Sequence, residues 1–260
     1  MTYDSRKASQ KQFGRQASYY AISPVHRHGD NLNVVQEYIQ KGTYEYAVDI
    51  ATGAGFTAFL LAEQSQNVLA TDITESMLEE TRRLSDQRGL ANVGQGFFVA
   101  EVLGFLDDSL DIVSCRTAPH HFENVDLFLD EVSRVLKPGG VFVLSDTVTP
   151  EEEDTAEWMN DIELRRDTSH IRDWAPSEWL QAIEKRGFAV TDSAITRAEL
   201  EFNNWVERSG TAKDEVEKLR QDFLRASDAV KKAFVIEPQG NGMIDFSWPA
   251  LVVRALKSEG

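Results

Sequence analysis

Cysteine, basic residues and long apolar runs are all scarce in this chain of 260 residues. The single cysteine, Cys115, excludes an intrachain disulfide and fits a reducing compartment. The longest apolar runs, such as Ala58–Ala62 and Val141–Leu144, are far too short to cross a bilayer. The segment Met1–Lys7 contains no apolar stretch of the kind found in secretory signals. We therefore expect a soluble, cytoplasmic protein without a membrane span.

Basic side chains are outnumbered by acidic ones, with 27 Lys and Arg against 43 Asp and Glu and a formal net charge of −16. Binding to nucleic acid depends on Lys and Arg contacts to phosphates, so this balance argues against a nucleic-acid partner. We interpret the acidic excess as a solvated surface on which like charges keep molecules apart. A spaced set of Cys, His and carboxylate ligands is also missing from the sequence, and we therefore expect no metal site.

Short apolar strands alternate with helix-periodic segments through the first half of the chain. The predicted strands are Tyr46–Ala51, Val68–Thr71, Gln95–Val99, Asp111–Cys115 and Gly140–Asp146, and the predicted helices are Thr57–Gln64, Thr74–Arg88 and Val125–Leu136. Such alternation predicts an α/β fold with a parallel sheet and helices on both faces. Right-handed crossovers then bring the carboxyl ends of the strands, and a bound ligand, to one edge of the sheet.

The flanking segments predict further elements around this sheet. Two helices, Gln10–Tyr20 and Asp30–Gln40, precede the first strand and are expected to pack over the mouth of a ligand site. After Asp146 the pattern is less regular. It predicts helices Glu151–Arg165, Pro176–Arg186 and Lys213–Lys232 and strands Phe188–Ile195 and Asp245–Ala255. No repeat or linker interrupts the chain, so we expect one domain with cap insertions.

The first strand runs into a glycine-rich turn that is typical of nucleoside-bearing cofactors. Gly53 and Gly55 allow a tight turn and a close approach of the backbone to a ligand. Asp72 follows 17 residues after Gly55, at the end of the next strand, where a carboxylate can bind ribose hydroxyls. Together with Ala58, the two glycines match the dinucleotide pattern Gly-x-Gly-x-x-Gly/Ala. The turn alone therefore does not decide which cofactor is bound.

Three features favour an aminoacyl nucleoside over a dinucleotide. Asp49 lies four residues before Gly53, where a carboxylate would attract a cationic amino group and repel a pyrophosphate. About 45 residues precede the first strand, whereas dinucleotide domains often begin with it. The helix and turn Phe122–Gly140, which ends in Lys-Pro-Gly-Gly, has a signature of its own.

With these segments the chain resembles the class I S-adenosylmethionine (SAM)-dependent methyltransferases. It most resembles the small-molecule group around the ubiquinone/menaquinone-biosynthesis C-methyltransferases. The matching segments are Val48–Gly55, Asp72, Asp107–Val113 and Val132–Gly140, and the resemblance covers roughly residues 10–196. It implies a Rossmann-like, doubly wound, seven-stranded and mostly parallel sheet whose last strand is antiparallel, and a helical cap. The single methyltransferase domain (1–260) would comprise an N-terminal helical lid (1–45), a SAM-binding core (46–146) and a C-terminal sheet half with cap insertions (147–260).

The resemblance also implies a set of residues around SAM and its product, S-adenosylhomocysteine. Asp49 and Gly53 would lie along the methionine moiety and Gly55 near the ribose. Asp72 would bind the ribose hydroxyls, and Ile73 would pack on the adenine.

Two positions in the cofactor segment depart from the family pattern. Ala51 stands where a glycine is common, a change that keeps a small side chain near the cofactor. Val99 stands where many relatives have an aspartate that binds the adenine amino group. Adenine recognition is then expected from the backbone around Ala100 or from Glu101.

The acceptor side is expected beyond the fourth strand, over the segment Cys115–Phe122. Arg116 is a candidate for binding an anionic or phenolate acceptor as well as for contact with the cofactor, and a salt bridge is its alternative. His120 and His121 are candidate catalytic residues, because a histidine can take a proton from an acceptor. The alternative for both histidines is a structural role in the loop.

Two further groups are tentative contacts of the acceptor. Arg166 and His170 belong to a basic cluster that could hold a carboxylate, or Arg166 could pair with Asp167 or Asp173. Tyr20 and His26, on the N-terminal segment, could belong to a lid over the acceptor.

The combined motifs predict a SAM-dependent methyltransferase that acts on a small, aromatic or anionic molecule as a monomer or homodimer. One alternative is a SAM-binding regulatory protein without turnover. Another is an NAD-dependent oxidoreductase, which only the dinucleotide pattern favours. A methyltransferase of protein or RNA is disfavoured by the net charge of −16.

Overall fold

A mixed β-sheet forms the centre of the computed structural model, which describes residues 5–22, 29–240 and 242–259. The strands are β1 (Tyr44–Ile50), β2 (Ser65–Asp72), β3 (Val93–Phe97), β4 (Leu110–Arg116), β5 (Leu136–Thr147), β6 (Phe188–Glu201), β7 (Glu237–Pro238) and β8 (Ile244–Lys257). Their order across the sheet is β3-β2-β1-β4-β5-β8-β6, and the two-residue β7 pairs with β8 outside this path.

Strands β1 to β5 are parallel to one another, and β8 is antiparallel to its neighbours β5 and β6. The predicted Rossmann-like sheet of seven strands with an antiparallel last strand is therefore confirmed, with the short β7 as an addition. Because β1 lies between β2 and β4, the ends of these three strands meet at the middle of one sheet edge. This edge is the place where ligands bind in doubly wound sheets.

Helices cover both faces of the sheet. They are α1 (Ser5–Ile22), α2 (Asp30–Ile39), α3 (Phe56–Gln64), α4 (Glu75–Arg88), α5 (Val125–Val135), α6 (Glu153–Arg166), α7 (Pro176–Glu184), α8 (Phe202–Ser209), α9 (Lys213–Arg225) and α10 (Asp228–Ala233). A short 3-10 turn, Pro119–His121, follows β4.

Alternating side chains of the central strands pack into two separate cores, one on each face of the sheet. In β4, Val113 packs with Phe128 of α5 and Trp179 of α7 on one face. Its neighbour Ile112 packs with Ile39 of α2 on the other face. Both faces are therefore apolar, which explains why the strands are continuous apolar runs in the sequence.

A third core lies in the second half of the chain and is largely aromatic. Trp205 of α8 packs edge-to-face on Phe246 of β8, with ring centroids 5.2 Å apart. Trp248 packs on the same Phe246 ring at 4.8 Å. Met159 and Ile162 of α6 complete this cluster, which anchors the helices α6, α8 and α9. The cap helices thus have an apolar core of their own.

Two elements in this half differ from the sequence prediction. The predicted single helix Lys213–Lys232 is divided into α9 and α10, so that prediction is wrong in its extent. The Ser227 hydroxyl accepts a hydrogen bond from the backbone N–H of Val230 and thereby starts a new helix. Helix α8 was not predicted. Its N-terminus is capped by the Glu201 carboxylate, which accepts hydrogen bonds from two backbone N–H groups.

Candidate active site

A cleft opens at the sheet edge where β1, β2, β3 and β4 end. It has about 990 Å³ of empty space, which includes open solvent at its mouth. Its described walls include residues 51–54 after β1, 72–74 at the end of β2, 98–101 after β3 and 116–118 and 121–123 after β4. Arg6, Ser9 and Phe13 of α1 close one side of it. The concave shape and the mixed apolar and polar lining suit a small organic ligand.

Asp72 lies on the floor of this cleft and connects two of its loops. One carboxylate oxygen accepts a hydrogen bond from the Gly53 backbone N–H at 3.0 Å, and the other accepts one from the Thr74 backbone N–H at 2.8 Å. Burial raises the pKa of Asp72, and these backbone hydrogen bonds oppose that rise. The carboxylate therefore holds both loops in place while it faces the cleft.

Asp49 is buried behind the cleft wall and is not among the residues that line the cleft. Its carboxylate accepts hydrogen bonds from the Ser114 and Thr52 hydroxyls, each at 2.6 Å. Burial raises the pKa of Asp49 to about 6, against the effect of these two hydroxyls and of the Arg116 charge. In this structure Asp49 fixes Thr52, which itself lines the cleft.

The glycines of the turn have different roles. Gly53 lines the cleft with a φ of 55°, and open space lies where a Cβ would be. Gly55 has a φ of 88° and precedes α3. A Cβ there would lie 2.7 Å from the Phe59 ring and 2.8 Å from the Thr81 methyl group. Gly53 thus offers open backbone to a ligand, whereas Gly55 is required by packing.

We expect Gly55→Ala to destabilise the protein by about 2–5 kcal/mol, because a left-handed backbone and a steric clash add together. Gly89→Ala is the matched control, since Gly89 has a φ of 68° with nothing within 4 Å of a Cβ. The free energy of unfolding of that control should fall by only about 1 kcal/mol. Urea unfolding of both variants measures the difference, and equal losses would contradict the packing role of Gly55.

Two residues other than glycine also have a left-handed backbone at the cleft. Ala51, after β1, has a φ of 52°, and Thr117, after β4, has a φ of 55°. Both line the cleft. Such conformations are unfavourable for residues with a Cβ, and they concentrate at functional sites. The family's usual glycine in place of Ala51 suits this backbone conformation.

An apolar part of the cleft lies beside the end of β3. Ile73, Met77 and Phe98 line it together with Ala100 and Glu101. Sequence reasoning singled out Ile73, Ala100 and Glu101 but missed Met77 and Phe98. Met77 lies on a helix and Phe98 follows a strand end, and apolar residues at such places indicate packing rather than ligand contact.

Glu101 is almost fully buried at this end of the cleft. Its carboxylate accepts a hydrogen bond from the Asn124 backbone N–H at 3.4 Å and lies 3.8 Å from the Arg6 guanidinium. A carboxylate in this position can accept a hydrogen bond from an amino group of a ligand in the cleft.

Arg116 lines the opposite part of the cleft, at the end of β4. Its Nε donates a hydrogen bond to the Thr57 hydroxyl of α3 at 3.1 Å. Burial lowers the pKa of Arg116 to about 10, and the nearby Asp49 charge counteracts part of this effect. The guanidinium therefore stays positively charged at neutral pH.

The two histidines of the 3-10 turn are separated by the fold. His121 lines the cleft, whereas His120 is not among the lining residues and faces Asp146 at the end of β5. Asp146 lies 2.7 Å from His120 Nδ1 and also accepts a hydrogen bond from the His120 backbone N–H at 2.9 Å. Burial acts to lower the pKa of His120, but Asp146 raises it to about 9. His120 is therefore a buried cation paired with Asp146.

Asp173 and His170 complete a buried polar cluster behind the histidines. Asp173 lies 4.0 Å from His120 Nδ1, and neither of its carboxylate oxygens accepts a hydrogen bond within the described part of the chain. Burial raises the pKa of Asp173 to about 8. His170 Nε2 donates to the Asn160 side-chain oxygen at 3.2 Å, since that oxygen only accepts.

Two of the remaining predicted acceptor contacts, Arg166 and His170, lie away from the described cleft. Arg166 stacks over the Trp205 ring at 4.9 Å, and its guanidinium contacts Glu163 at 3.0 Å. Neither it nor His170 lines the cleft. The backbone of Tyr20 belongs to α1, but its side chain is outside the description, and His26 lies outside the described residues.

Asp146, Asp167 and Ser169 were missed as partners of the histidines. Asp146 ends a strand at the same sheet edge as Asp49 and Asp72, so its position was a usable signal. Ser169 and Asp167 lie in the loop after α6, and nothing in the local sequence connects them to residue 121. Within the ranges that the structure describes, no three His, Cys, Asp or Glu side chains are arranged so that they could hold a metal ion, and no helix is long and apolar enough to cross a membrane.

Comparison with known proteins assigns the chain to a family. Residues 48–144 match the family described as "Methyltransferase domain". The chain is 31% identical over 246 residues to the uncharacterized methyltransferase YcgJ of Bacillus subtilis, covering 94% of this chain and 97% of YcgJ. The chain belongs to the methyltransferase family. The crystal structure of YcgJ superimposes with a TM-score of 0.84, covering 90% of this chain and 100% of that chain at 32% identity.

Two other relatives are similar over shorter segments. The uncharacterized protein YafE of Escherichia coli is 33% identical over 186 residues, which cover 72% of this methyltransferase and 90% of YafE. The ubiquinone/menaquinone biosynthesis C-methyltransferase UbiE of Zymomonas mobilis is 34% identical over 104 residues. That match covers 40% of this methyltransferase and 43% of UbiE. The predicted resemblance to the UbiE group is thereby confirmed at the level of the methyltransferase domain.

Proposed function

We propose that this methyltransferase binds SAM in the cleft and transfers its methyl group to a small acceptor that is aromatic or anionic. The observation that carries the proposal is the position of Asp72, a carboxylate that lies on the cleft floor and is bonded to the backbone of Gly53 and Thr74. SAM supplies a methyl group on a positively charged sulfur, already activated for displacement. The protein's task is therefore to orient the two reactants and to exclude water.

The residues at the β1–β3 end of the cleft suit SAM. Asp72 can accept hydrogen bonds from ribose hydroxyls, as it would in the related dinucleotide sites. Ile73, Met77 and Phe98 offer apolar contact to an adenine ring, and the buried Glu101 can accept a hydrogen bond from its amino group. Gly53 lets the backbone approach the methionine moiety.

The residues at the β4 end suit the acceptor. The charged Arg116 attracts an anionic group or a phenolate. Phe13 of α1 and Phe122 after the 3-10 turn add aromatic walls on which an aromatic ring can pack. We further propose that α1 serves as a lid, since its residues Arg6, Ser9 and Phe13 close one side of the cleft. The expectation that the second helix also covers the site is wrong, because α2 packs through Ile39 on a face of the sheet.

The acidic composition supports a small-molecule acceptor in the cytoplasm. A net charge of −16 opposes binding to nucleic acid, which is itself a polyanion. Arg116, in contrast, is a local positive charge at the acceptor end of the cleft, so a small anion can bind where a large polyanion would be repelled.

S-Adenosylhomocysteine should bind this protein and raise its melting midpoint. A ligand at about 100 times its Kd stabilises a folded protein by about 2.7 kcal/mol, which corresponds to roughly 5–10 °C for a chain of this size. Isothermal calorimetry and a thermal melt measure the two effects. NADH and NADPH, titrated in parallel, should give neither. Absence of binding heat with saturating S-adenosylhomocysteine would overturn the proposal.

Methyl transfer is tested with methyl-labelled SAM and a fractionated cell extract. The label should move into the small-molecule fraction and not into protein or nucleic acid. Label in protein or RNA would overturn the proposed acceptor class. Binding of S-adenosylhomocysteine without any transfer would instead favour a SAM-binding regulatory protein.

A further inference from the structure

His121 has one ring nitrogen whose protonation state follows from its neighbours. The Ser169 hydroxyl donates its only hydrogen to Asp167 Oδ1, at 2.6 Å. Its oxygen lies 3.2 Å from His121 Nδ1 and has no further hydrogen to give. The hydrogen bond therefore requires a proton on His121 Nδ1. In the neutral ring, Nε2 then carries a lone pair.

Asp167 and Ser169 are a rigid support for this orientation. Asp167 Oδ1 also accepts a hydrogen bond from the Ser169 backbone N–H at 2.9 Å, so hydroxyl and backbone hold the same oxygen. Both residues are buried. A buried carboxylate, a bridging hydroxyl and an imidazole thus form a chain that leads from the protein interior to the cleft.

The other edge of the His121 ring lies on the side of the cleft. The ring is only partly buried, lines the cleft and meets the Phe13 ring of α1 edge-to-face at 5.0 Å. Nδ1 is the ring nitrogen for which the described residues provide a side-chain hydrogen bond, the one to Ser169. Because the two ring nitrogens point in divergent directions, an Nδ1 directed at the buried Ser169 leaves Nε2 on the cleft side.

Charged neighbours keep His121 neutral. The His120 cation lies with its ring centroid 4.2 Å away, and the Arg166 charge also acts on His121. Burial and the His120 charge lower the pKa of His121 to about 3, and the Asp167 charge opposes them. A second cation beside His120 is therefore disfavoured in the resting protein, and Nε2 stays available as an acceptor.

We propose that His121 Nε2 takes the proton from a hydroxyl group of the acceptor, with Ser169 and Asp167 as its positioning residues. The inference rests on the proposed methyl transfer. The new bond joins the acceptor oxygen to the methyl carbon, while the methyl–sulfur bond breaks and its electron pair stays on sulfur. The O–H bond breaks, and its proton passes to Nε2. The resulting imidazolium is stabilised through Ser169 by the Asp167 carboxylate.

The chemistry of this base selects a hydroxyl over an amine. A neutral hydroxyl that gains a methyl group becomes an oxonium ion, which is so strong an acid that even a weakly basic imidazole removes its proton. A neutral amine that gains a methyl group becomes an ammonium ion, which is stable at neutral pH, so a base beside an amine acceptor would have no part in the transfer. The acceptor is therefore a phenol or an alcohol that gives up its proton as the methyl group arrives.

Nitrogen-15 spectroscopy of histidine-labelled protein tests the geometry without any turnover. At pH 6–8, His121, assigned through the His121→Gln variant, should be a neutral ring with its proton on Nδ1. Ser169→Ala removes the partner of that proton and should populate the Nε2–H form. Ser177→Ala, which removes an exposed serine–carboxylate hydrogen bond to Glu151, is the matched control and should change nothing at His121. A protonated ring or an Nε2–H form in the unaltered protein would overturn the inference.

Turnover with methyl-labelled SAM and the active extract fraction gives the second readout. His121→Gln should lower kcat by about 100-fold, the scale of general base catalysis, and Ser169→Ala should lower it less. The product should be an O-methyl compound by mass spectrometry. An N-methyl product, or a His121→Gln kcat within threefold of the original, would overturn this inference and leave the proposed function intact. Failure of the unaltered protein to transfer any label would overturn the proposed function itself.

Discussion

Asp72→Asn is expected to weaken binding of S-adenosylhomocysteine by about 100-fold or more. The Asp72 carboxylate accepts hydrogen bonds from the Gly53 and Thr74 backbone N–H groups through different oxygens. An amide has one acceptor oxygen and one donor NH₂ group, so one of the two N–H groups would face another donor. Hydrogen bonds to a charged group contribute about 1.5–3 kcal/mol each, and loss of one between Asp72 and the ligand lowers affinity by one to two orders of magnitude.

The loss of affinity in Asp72→Asn should be larger than one ligand hydrogen bond, because the backbone contacts of Asp72 that shape the cleft are disturbed as well. Ribose hydroxyls donate better to a carboxylate than to an amide that must also satisfy the backbone. Calorimetric titration measures the change in Kd. Asp107→Asn is the control, since Asp107 has a side chain 73% exposed, forms an ion pair with Arg134 and is not among the residues that line the cleft. An Asp72→Asn Kd within threefold of the original would contradict the assignment of Asp72.

Asp146→Asn is expected to lower the free energy of unfolding by about 3 kcal/mol at pH 6.5. Asp146 raises the pKa of His120 from 6.5 to about 9, although burial alone would lower it. A difference of this size between the folded and unfolded pKa corresponds to about 3 kcal/mol. In a chain of this length the melting midpoint should fall by roughly 6–12 °C.

The sign of the pH dependence follows from the same pair. The folded pKa of His120 is above the unfolded value, so its contribution is fully present below pH 6.5 and is lost as the pH rises to about 9. The pKa of Asp173 is also raised, by burial, and this too lowers the free energy of unfolding as the pH rises to about 8. Thermal melts at pH 6.5, 8 and 9 should show a decline that is smaller in Asp146→Asn, where only the Asp173 part remains.

Asp126→Asn is the control for this measurement. Asp126 forms an ion pair with Arg186 but its side chain is 67% exposed, and a surface pair contributes less than about 1 kcal/mol. Its loss should leave the melting midpoint within a few degrees and the pH dependence unchanged. An equal loss in both aspartate variants would contradict the buried ion pair at His120.

The sheet and one end of the cleft could be predicted from the sequence because their signals are local. The apolar strands around Val48 and Val113 and the helices between them set the α/β alternation, and right-handed crossovers then decide where their ends meet. Gly53 and Asp72 were identified because a turn and the end of the next strand are each readable in a few residues. Their position on the cleft agrees with that reading, while their role in SAM binding stays a proposal.

Partners distant in sequence could not be predicted in the same way. His120 and His121 are neighbours in the chain, yet one faces Asp146 and the other faces Ser169, 48 positions further on. The helix that was predicted to continue to Lys232 ends at Arg225, because the Ser227 cap and the packing of Val230 outweigh helix propensity.

The sequence by itself determined the fold class, the family and the strand ends that line the cleft, since periodicity and turn chemistry are encoded over a few residues. Only the tertiary structure decided which of two adjacent histidines is a buried cation and which is a neutral ring on the cleft. That distinction depends on burial and on charges from the end of β5 and the loop after α6. Folding alone brings those segments together, because burial and electrostatic environment are properties of the packed chain.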